Sequence, residues 1–453
     1  MPLPDLIEIV PLTKPVQAEI TVPGSKSITN RALVLAALAD GETILQGALW
    51  SEDTQVMVDC LQELGFMVNV ASDPNETCNR TITVYGLGGK IPRGGTAEQP
   101  LELFVGNAGT AARFLGAMVC LGEGVYRLHG VPRMHERPQA ALFQALRELG
   151  YHVNSPNDKL PALIHGDGPH PGAQCSVSIQ ESSQFASALL LCAEVDGWKV
   201  QVTGESAEES PYVAMTSKLI EAFPKSGGTF QIEPDASSGS YFWAAGLFSR
   251  TRKDQIASYS DTGIHRFGTD FLPTISEQKR SFPITVRNWP MPPLQIDSDF
   301  PRCLPLPSEL SRIRHLGDSI MTAIVIAPFR EKAIRFTDLS RLSVQECERV
   351  VALRTELTKC GAKVIETGDT LEVFPSELYG AEIETYNDHR MAMCFAILGL
   401  KVPGIKIKNP ACVKKTFPNF FQKLAAPPPG GLGVTILDAA TGRQLTHDEL
   451  FAE

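Results

Sequence analysis

The chain has 453 residues, 43% hydrophobic and 20% charged, which is apolar enough to bury large cores and excludes global disorder. Its net charge of −10, from 41 basic against 51 acidic residues, argues against a general nucleic-acid binder. Apolar runs such as Ala32 to Ala39 fall well short of the roughly 20 residues that a bilayer demands, so no membrane span is expected.

The N-terminus MPLPDLIEIV carries acids and no basic leader, so it does not read as a signal peptide. The ten cysteines are scattered singly with no CxxC, which suggests neither a disulfide scaffold nor a zinc site and fits a reducing cytoplasm. From Gly24 onward a polar cluster followed by a small, apolar helix recurs. The six instances begin GSKSITNRALVL at Gly24, GNAGTAARFLGA at Gly106, SSQFASALLL at Ser182, DASSGSYFWAA at Asp235, GDSIMTAIVI at Gly317 and NDHRMAMCFAI at Asn387. Ala, Leu and Met all round predict buried helices, each starting behind a Ser, Asn or Asp that can cap backbone N–H groups.

DTQVMVDCLQELGFMV, RPQAALFQALRELGYHV and QECERVVALRTELTKCGAKV read as amphipathic helices that end on a glycine before a Val-led strand. Short strands TITVYG, YRLHG, VQVTG, LEVFP and IKIKN lie between. The unit is strand, buried helix, strand, surface helix, strands. Its spacing is too irregular for a solenoid, and six units most simply make two domains of three.

A helix N-terminus has unpaired N–H groups and a partial positive charge, which makes it an anion site. For one cluster alone, ordinary capping is the better reading. Six clusters that jointly carry Lys26, Arg31, Arg113, His389 and Arg390 favour anion binding. GSKS at 24–27 is not a P-loop, and no dinucleotide fingerprint, HExxH, EF-hand loop or nucleophile elbow is present. Acid–base chemistry without a metal is expected.

The chain closely resembles the 5-enolpyruvylshikimate-3-phosphate synthases of the enolpyruvyl transferase family. The resemblance rests on PGSKSITNRAL (23–33), GNAGTAARF (106–114), PRMHERP (132–138), SSQF (182–185), SPY (210–212), DASS (235–238), DSIMT (318–322), YNDHRMAM (386–393) and KTFPNFF (415–421), in family order. It implies an α/β fold: two inverted domains of three βαβαββ units with buried parallel helices, joined by a two-stranded hinge. One domain would be 24–233 and carry an acceptor-site half. The other would be 1–23 with 234–453, in which AAPPPGGLG and the residues after it (425–453) read as a linker and an appendage.

The resemblance also implies the reaction. The enolpyruvyl group of phosphoenolpyruvate would pass to the 5-hydroxyl of shikimate 3-phosphate by addition and elimination through a tetrahedral intermediate, releasing phosphate. No metal or cofactor is implied, nor a nucleic-acid or membrane partner. A cytoplasmic monomer of aromatic amino acid biosynthesis, on the route to chorismate and open to glyphosate, is expected. Phosphoenolpyruvate would be held by Lys26, Gly109, Arg133, Gln184, Arg349, Arg390 and Lys415, with Lys414 a neighbouring alternative to the last. The acceptor would be held by Lys26, Ser27, Arg31, Ser182, Ser183, Tyr212 and Asp318, with Arg341 and Gln345 at two further acceptor positions. Asp318 would be the base near the 5-hydroxyl, Glu346 the partner at the methylene, and Lys26 could serve either step. By spacing alone, Glu346 and Arg349 suit a plain surface ion pair on one helix face.

The chain departs from the family on the acceptor side. Glu209 stands where a phosphate-binding Ser is usual, with Ser210 one place late; Arg341 replaces an Asn and Gln345 a Lys. Residues 295–316 look inserted, and were Asp299 the counterpart of the family's acid, the assignment of Asp318 would fail. Two other readings therefore stand: an enolpyruvyl transferase for another hydroxyl acceptor, and a non-catalytic anion-binding relative. The UDP-N-acetylglucosamine enolpyruvyl transferases rank low, because the loop 131–138 lacks their Cys.

Overall fold

The structure is a computed structural model that describes residues 3–204, 210–249, 282–290 and 294–452; Glu209 lies outside the described residues. The chain divides into two compact units, Pro23–Glu233 and Met1–Val22 with Pro234–Glu453. It passes from one to the other twice, after Val22 and after Glu233.

In the unit Pro23–Glu233 the small-residue runs form the helices Lys26–Leu38, Gly109–Met118 and Gln184–Asp196. Every residue of Gly109–Met118 is buried, because its Ala and Gly positions let neighbours approach from all sides. The amphipathic helices Glu52–Glu63 and Ala140–Glu148 each bury one face. Gly65 and Gly150 end them at φ +92° and +100°, backbone in which a side chain is strained, and strands begin at once.

One sheet orders Gly228–Gln231, Asp40–Leu49, Asn79–Leu87 and Met67–Ser72, paired parallel, antiparallel, antiparallel. The sheet Leu101–Phe104, Glu123–His129, Ala162–Asp167, His152–Asn154 repeats that pattern. The third sheet is the parallel pair Gln174–Ser178 and Lys199–Thr203.

The other unit uses the same plan. Its buried helices are Ala236–Phe248, Ile320–Ile326 and His389–Gly399, with Arg349–Lys359 as an outer helix. Two four-stranded sheets again pair parallel, antiparallel, antiparallel. One orders Glu309–Ser311, Ile334–Thr337, Thr370–Val373, Val364–Thr367; the other Glu382–Ile383, Ile405–Lys408, Leu6–Ile9, Ile436–Asp438. The third is the parallel pair Ala18–Ile20 and Ile284–Val286. Parallel neighbours need a crossover, and between Leu101–Phe104 and Glu123–His129, for example, the buried helix supplies it. Its N-terminus then sits just past a strand end, where open α/β sheets place ligands. The aromatic core is tightly made: Trp243 meets Phe282 and Trp289 edge-on at 5.5 and 5.6 Å between centroids. Truncating such a residue costs about 3–5 kcal/mol. Among the described residues no helix is long and apolar enough to cross a membrane.

Two expectations are corrected. Residues 425–453 are not a linker with an appendage: Ile436–Asp438 pairs with the N-terminal strand, and Leu432, Val434, Ile436, Leu445 and Leu450 are buried in the core. Pro and Gly there make a tight fold-back, with the Gly433 N–H donating to the Ala426 carbonyl at 2.8 Å. Capping by the preceding polar residue is also narrower than expected. Asp235 and Asp388 accept from their own helices, whereas Ser25, Ala108, Ser183 and Ser319 make no side-chain cap bond.

Candidate functional site

In the unit Pro23–Glu233 the predicted residues gather at helix starts. Lys26 is the first residue of its helix, and its ammonium pairs with the buried Asp53 carboxylate at 3.0 Å. Arg31, one turn on, is buried, and among the described residues no carboxylate pairs with it. Its Nε donates to Thr216 Oγ1 at 2.8 Å, Nη2 to Ser187 Oγ at 2.9 Å and Nη1 to the Ser27 carbonyl at 2.9 Å, and it lies over the Phe114 ring. Burial pushes its pKa down to about 10. Ser183 is buried and Ser182 half-buried, with Ser182 Oγ taking the Gln184 N–H at 3.2 Å; Tyr212 is half-buried in Pro211–Ala222.

Gln184 joins two helix starts. Its Oε1 accepts from Arg113 Nη1 at 2.5 Å, and its Nε2 donates to Thr110 Oγ1 at 3.2 Å. Arg113 is buried, and burial together with neighbouring Arg137 lowers its pKa to about 9. Gly109 starts its helix against the Arg137 guanidinium, whose Nη1 donates to the Asn107 carbonyl at 3.0 Å. A Cβ on Gly109 would come within 2.5 Å of Arg137 Nη2. Arg133 stands apart, exposed and paired with Glu136.

In the other unit the predicted residues form one ion-pair network. Arg349 is buried, and its Nε and Nη2 reach the fully buried Asp388 at 2.6 and 3.2 Å. Nη2 also meets Glu346 at 2.7 Å, and Nη1 donates to Gln345. Burial opposes the charge, but Asp388, Glu346 and Asp318 more than offset it and hold the guanidinium charged. Glu346 continues the chain of contacts to Lys415 Nζ at 3.0 Å. Lys414 is exposed whereas Lys415 is half-buried. The Glu346–Arg349 pair is not the surface helix pair its spacing suits: the helix begins only at Arg349, and Arg349 is inside. Arg341 lies in the short turn Ser340–Val344.

Asp318 stands among three guanidinium groups: Arg312 at 2.7 Å, Arg390 at 3.3 Å and Arg349 at 3.9 Å. Burial alone would raise its pKa, but the three cations override it and hold the carboxyl well below the usual carboxylate range. Asp299 instead makes a local pair with Arg302 at 2.7 Å. The segment 295–316 brings in Arg312 through a strand, Glu309–Ser311, and one wide helical turn, Arg312–Leu316.

Asp53, Asp388, Arg137 and Arg312 were not anticipated. Asp388 was within reach, since it lies inside the NDHRMAM string. For Asp53 and Arg312 no local signal exists, because their partners are distant in sequence.

The family profile of EPSP synthase (3-phosphoshikimate 1-carboxyvinyltransferase) matches residues 10–226 and 224–424. The chain is 37% identical to the 3-phosphoshikimate 1-carboxyvinyltransferase of Nostoc punctiforme over 92% of its length and 98% of that protein. It is 38% identical to the protein of that name from Opitutus terrae, over 94% and 98%. Among solved structures, EPSP synthase from Acinetobacter baumannii superposes with a TM-score of 0.65 at 20% identity, covering 95% of this chain and 99% of that one. The enolpyruvyl transferase NikO from Streptomyces tendae gives 0.61 at 15% identity, covering 98% and 100%. At those identities the structural likeness speaks for the fold alone.

Proposed function

The chain belongs to the EPSP synthase (3-phosphoshikimate 1-carboxyvinyltransferase) family, and from that premise we propose that it transfers the enolpyruvyl group of phosphoenolpyruvate to the 5-hydroxyl of shikimate 3-phosphate. The observation that carries the reading is the network of Asp318, Glu346, Arg349, Arg390 and Lys415, which joins distant parts of the sequence into one set of acids and cations.

In the addition step the 5-oxygen attacks C2 of phosphoenolpyruvate and gives up its proton, while the methylene carbon gains one. In the elimination step the new methyl group loses a proton, the C2–O bond to phosphate breaks, and phosphate leaves. Asp318 takes the hydroxyl proton, Glu346 serves the methylene, and Lys26 assists at either step. Asp318 is a weak base while three arginines surround it. An anionic substrate that engages Arg349 and Arg390 draws their charge away and raises its proton affinity, so basicity is coupled to binding.

Lys26, Gly109, Arg133, Gln184, Arg349, Arg390 and Lys415 bind phosphoenolpyruvate in this reading. Lys26, Ser27, Arg31, Ser182, Ser183, Tyr212, Asp318, Arg341 and Gln345 bind the acceptor. Arg31 suits a carboxylate or phosphate, since its partners among the described residues are hydroxyls and a carbonyl. The ten free thiols suit a reducing cytoplasm, and the enzyme works there as a monomer.

One observation favours a second reading, a different hydroxyl acceptor. Gln345 is bound to Arg349, so a neutral amide rather than a second cation occupies that place. Phosphate release from phosphoenolpyruvate, with shikimate 3-phosphate and with unphosphorylated shikimate, tests both. Turnover with shikimate 3-phosphate alone establishes the first reading. Phosphoenolpyruvate binding without turnover on either overturns it in favour of the second.

A further inference from the structure

Residues 295–297 reach two buried helices from outside. Gln295 Oε1 accepts the Ala236 N–H at 3.0 Å, at the first residue of Ala236–Phe248. Asp297 Oδ1 accepts the Ser319 N–H at 2.6 Å, just before Ile320–Ile326. Ser319 makes no side-chain cap bond of its own, so Asp297 does from a distance what a local cap would do. The turn it holds is unusual. Gly317 lies at φ +48°, ψ −129°, and a Cβ there would come within 2.6 Å of Asp297 Oδ2 and 2.7 Å of Ile296 Cγ2. Asp318 is the residue between these two contacts.

We propose that Asp297 is a positioning residue for Asp318: its buried carboxyl grips the Gly317–Ser319 turn from behind and so aims Asp318 at Arg312 and Arg390. The inference rests on the reading of Asp318 as an active-site acid. Asp297 is 5% exposed. The charged groups facing it are Asp318 on the turn, Arg390 on His389–Gly399 and Asp235 at the start of Ala236–Phe248. Burial and the adjacent Asp318 push its pKa up to about 7, so it keeps a proton where ordinary carboxyls have lost theirs. Neutral, it binds the Ser319 N–H and leaves Arg390 to Asp318 and to phosphoenolpyruvate. Ionised, it competes with both for Arg390.

The test measures kcat and both KM values from pH 5.5 to 8.5 for wild type, Asp297→Asn and Asp297→Ala, with thermal melting alongside. Asn keeps an oxygen for Ser319 but cannot ionise. In wild type the KM for phosphoenolpyruvate rises as pH passes about 7. In Asp297→Asn that rise is absent. Asp297→Ala loses up to about tenfold in kcat at every pH, the worth of one buried hydrogen bond, and Asn recovers most of that loss. A KM profile in Asp297→Asn that tracks wild type, or a kcat in Asp297→Ala equal to wild type, overturns the proposal. Should Ala fail to fold, the Asn profile decides alone. Absence of phosphate release in wild type would strike the reading of the reaction instead, and is seen before any variant is compared.

Discussion

The two units hold their buried arginines in opposite ways. In Pro23–Glu233, Arg31 and Arg113 donate to hydroxyls, carbonyls and an amide, and burial lowers both pKa values. In the other unit Arg312 and Arg349 pair with carboxylates, and Arg349 is held charged more firmly than in water. Neutral partners leave a guanidinium's field uncancelled, so an arriving anion gains the whole attraction. Carboxylate partners cancel it, so an anion must exchange with an acid already in place. The first arrangement captures; the second couples capture to a change in the acids, which is what proton transfer requires.

Glu346 is where that coupling is most exposed to a break. Glu346→Ala is expected to cut kcat by about 10²–10⁴ while changing KM little, read by steady-state kinetics; an effect confined to KM would contradict a catalytic role. Next comes stability. Asp388→Ala removes the one fully buried carboxylate that bonds Arg349 and should cost about 3–5 kcal/mol in a denaturant melt. Arg31→Met should cost less, about 1–2 kcal/mol, because Ser187 and Thr216 can bond each other at 2.9 Å, while the acceptor KM rises. Equal losses for Asp388→Ala and Arg31→Met would erase the contrast between the units.

Gly109→Ala sharpens it further. The added methyl meets the end of Arg137, a flexible group, so the fold should survive. A few-fold weaker phosphoenolpyruvate binding and lower glyphosate sensitivity are expected, and both should shrink when Arg137 is already Ala. Unchanged inhibition in the single variant would remove Gly109 from the site. A last effect concerns pH and is read as a slope. Between pH 3.8 and about 7 the unfolded chain releases the Asp297 proton while the native chain keeps it. Stability from this group therefore falls as pH rises through that window, and Asp297→Asn should flatten the fall.

Much of the fold was legible because its signals are local. Six runs of small apolar residues became six buried helices, and the glycine that ends each amphipathic helix is demanded by left-handed backbone at that one place. What was not legible depends on contacts between distant residues. Nothing in IDSDFP announces that Asp297 will cap a turn at Ser319, or that Asp299 will turn away to Arg302. The same holds for the C-terminal stretch. Its Pro and Gly content reads as a spacer, yet Leu432 and Ile436 have a core to enter once the N-terminal strand is in place.

That strand has a consequence for the order of assembly. Leu6–Ile9 is central in its sheet, between Ile405–Lys408 and Ile436–Asp438. The ribosome makes it long before either partner. At about 5–20 residues per second, it waits roughly 20–80 s for them. During that wait Pro23–Glu233, a compact unit by itself, can finish folding. A strand made before the unit Pro23–Glu233 is thus paired only after that whole unit has been made, and its sheet cannot close until Ile436–Asp438 has followed.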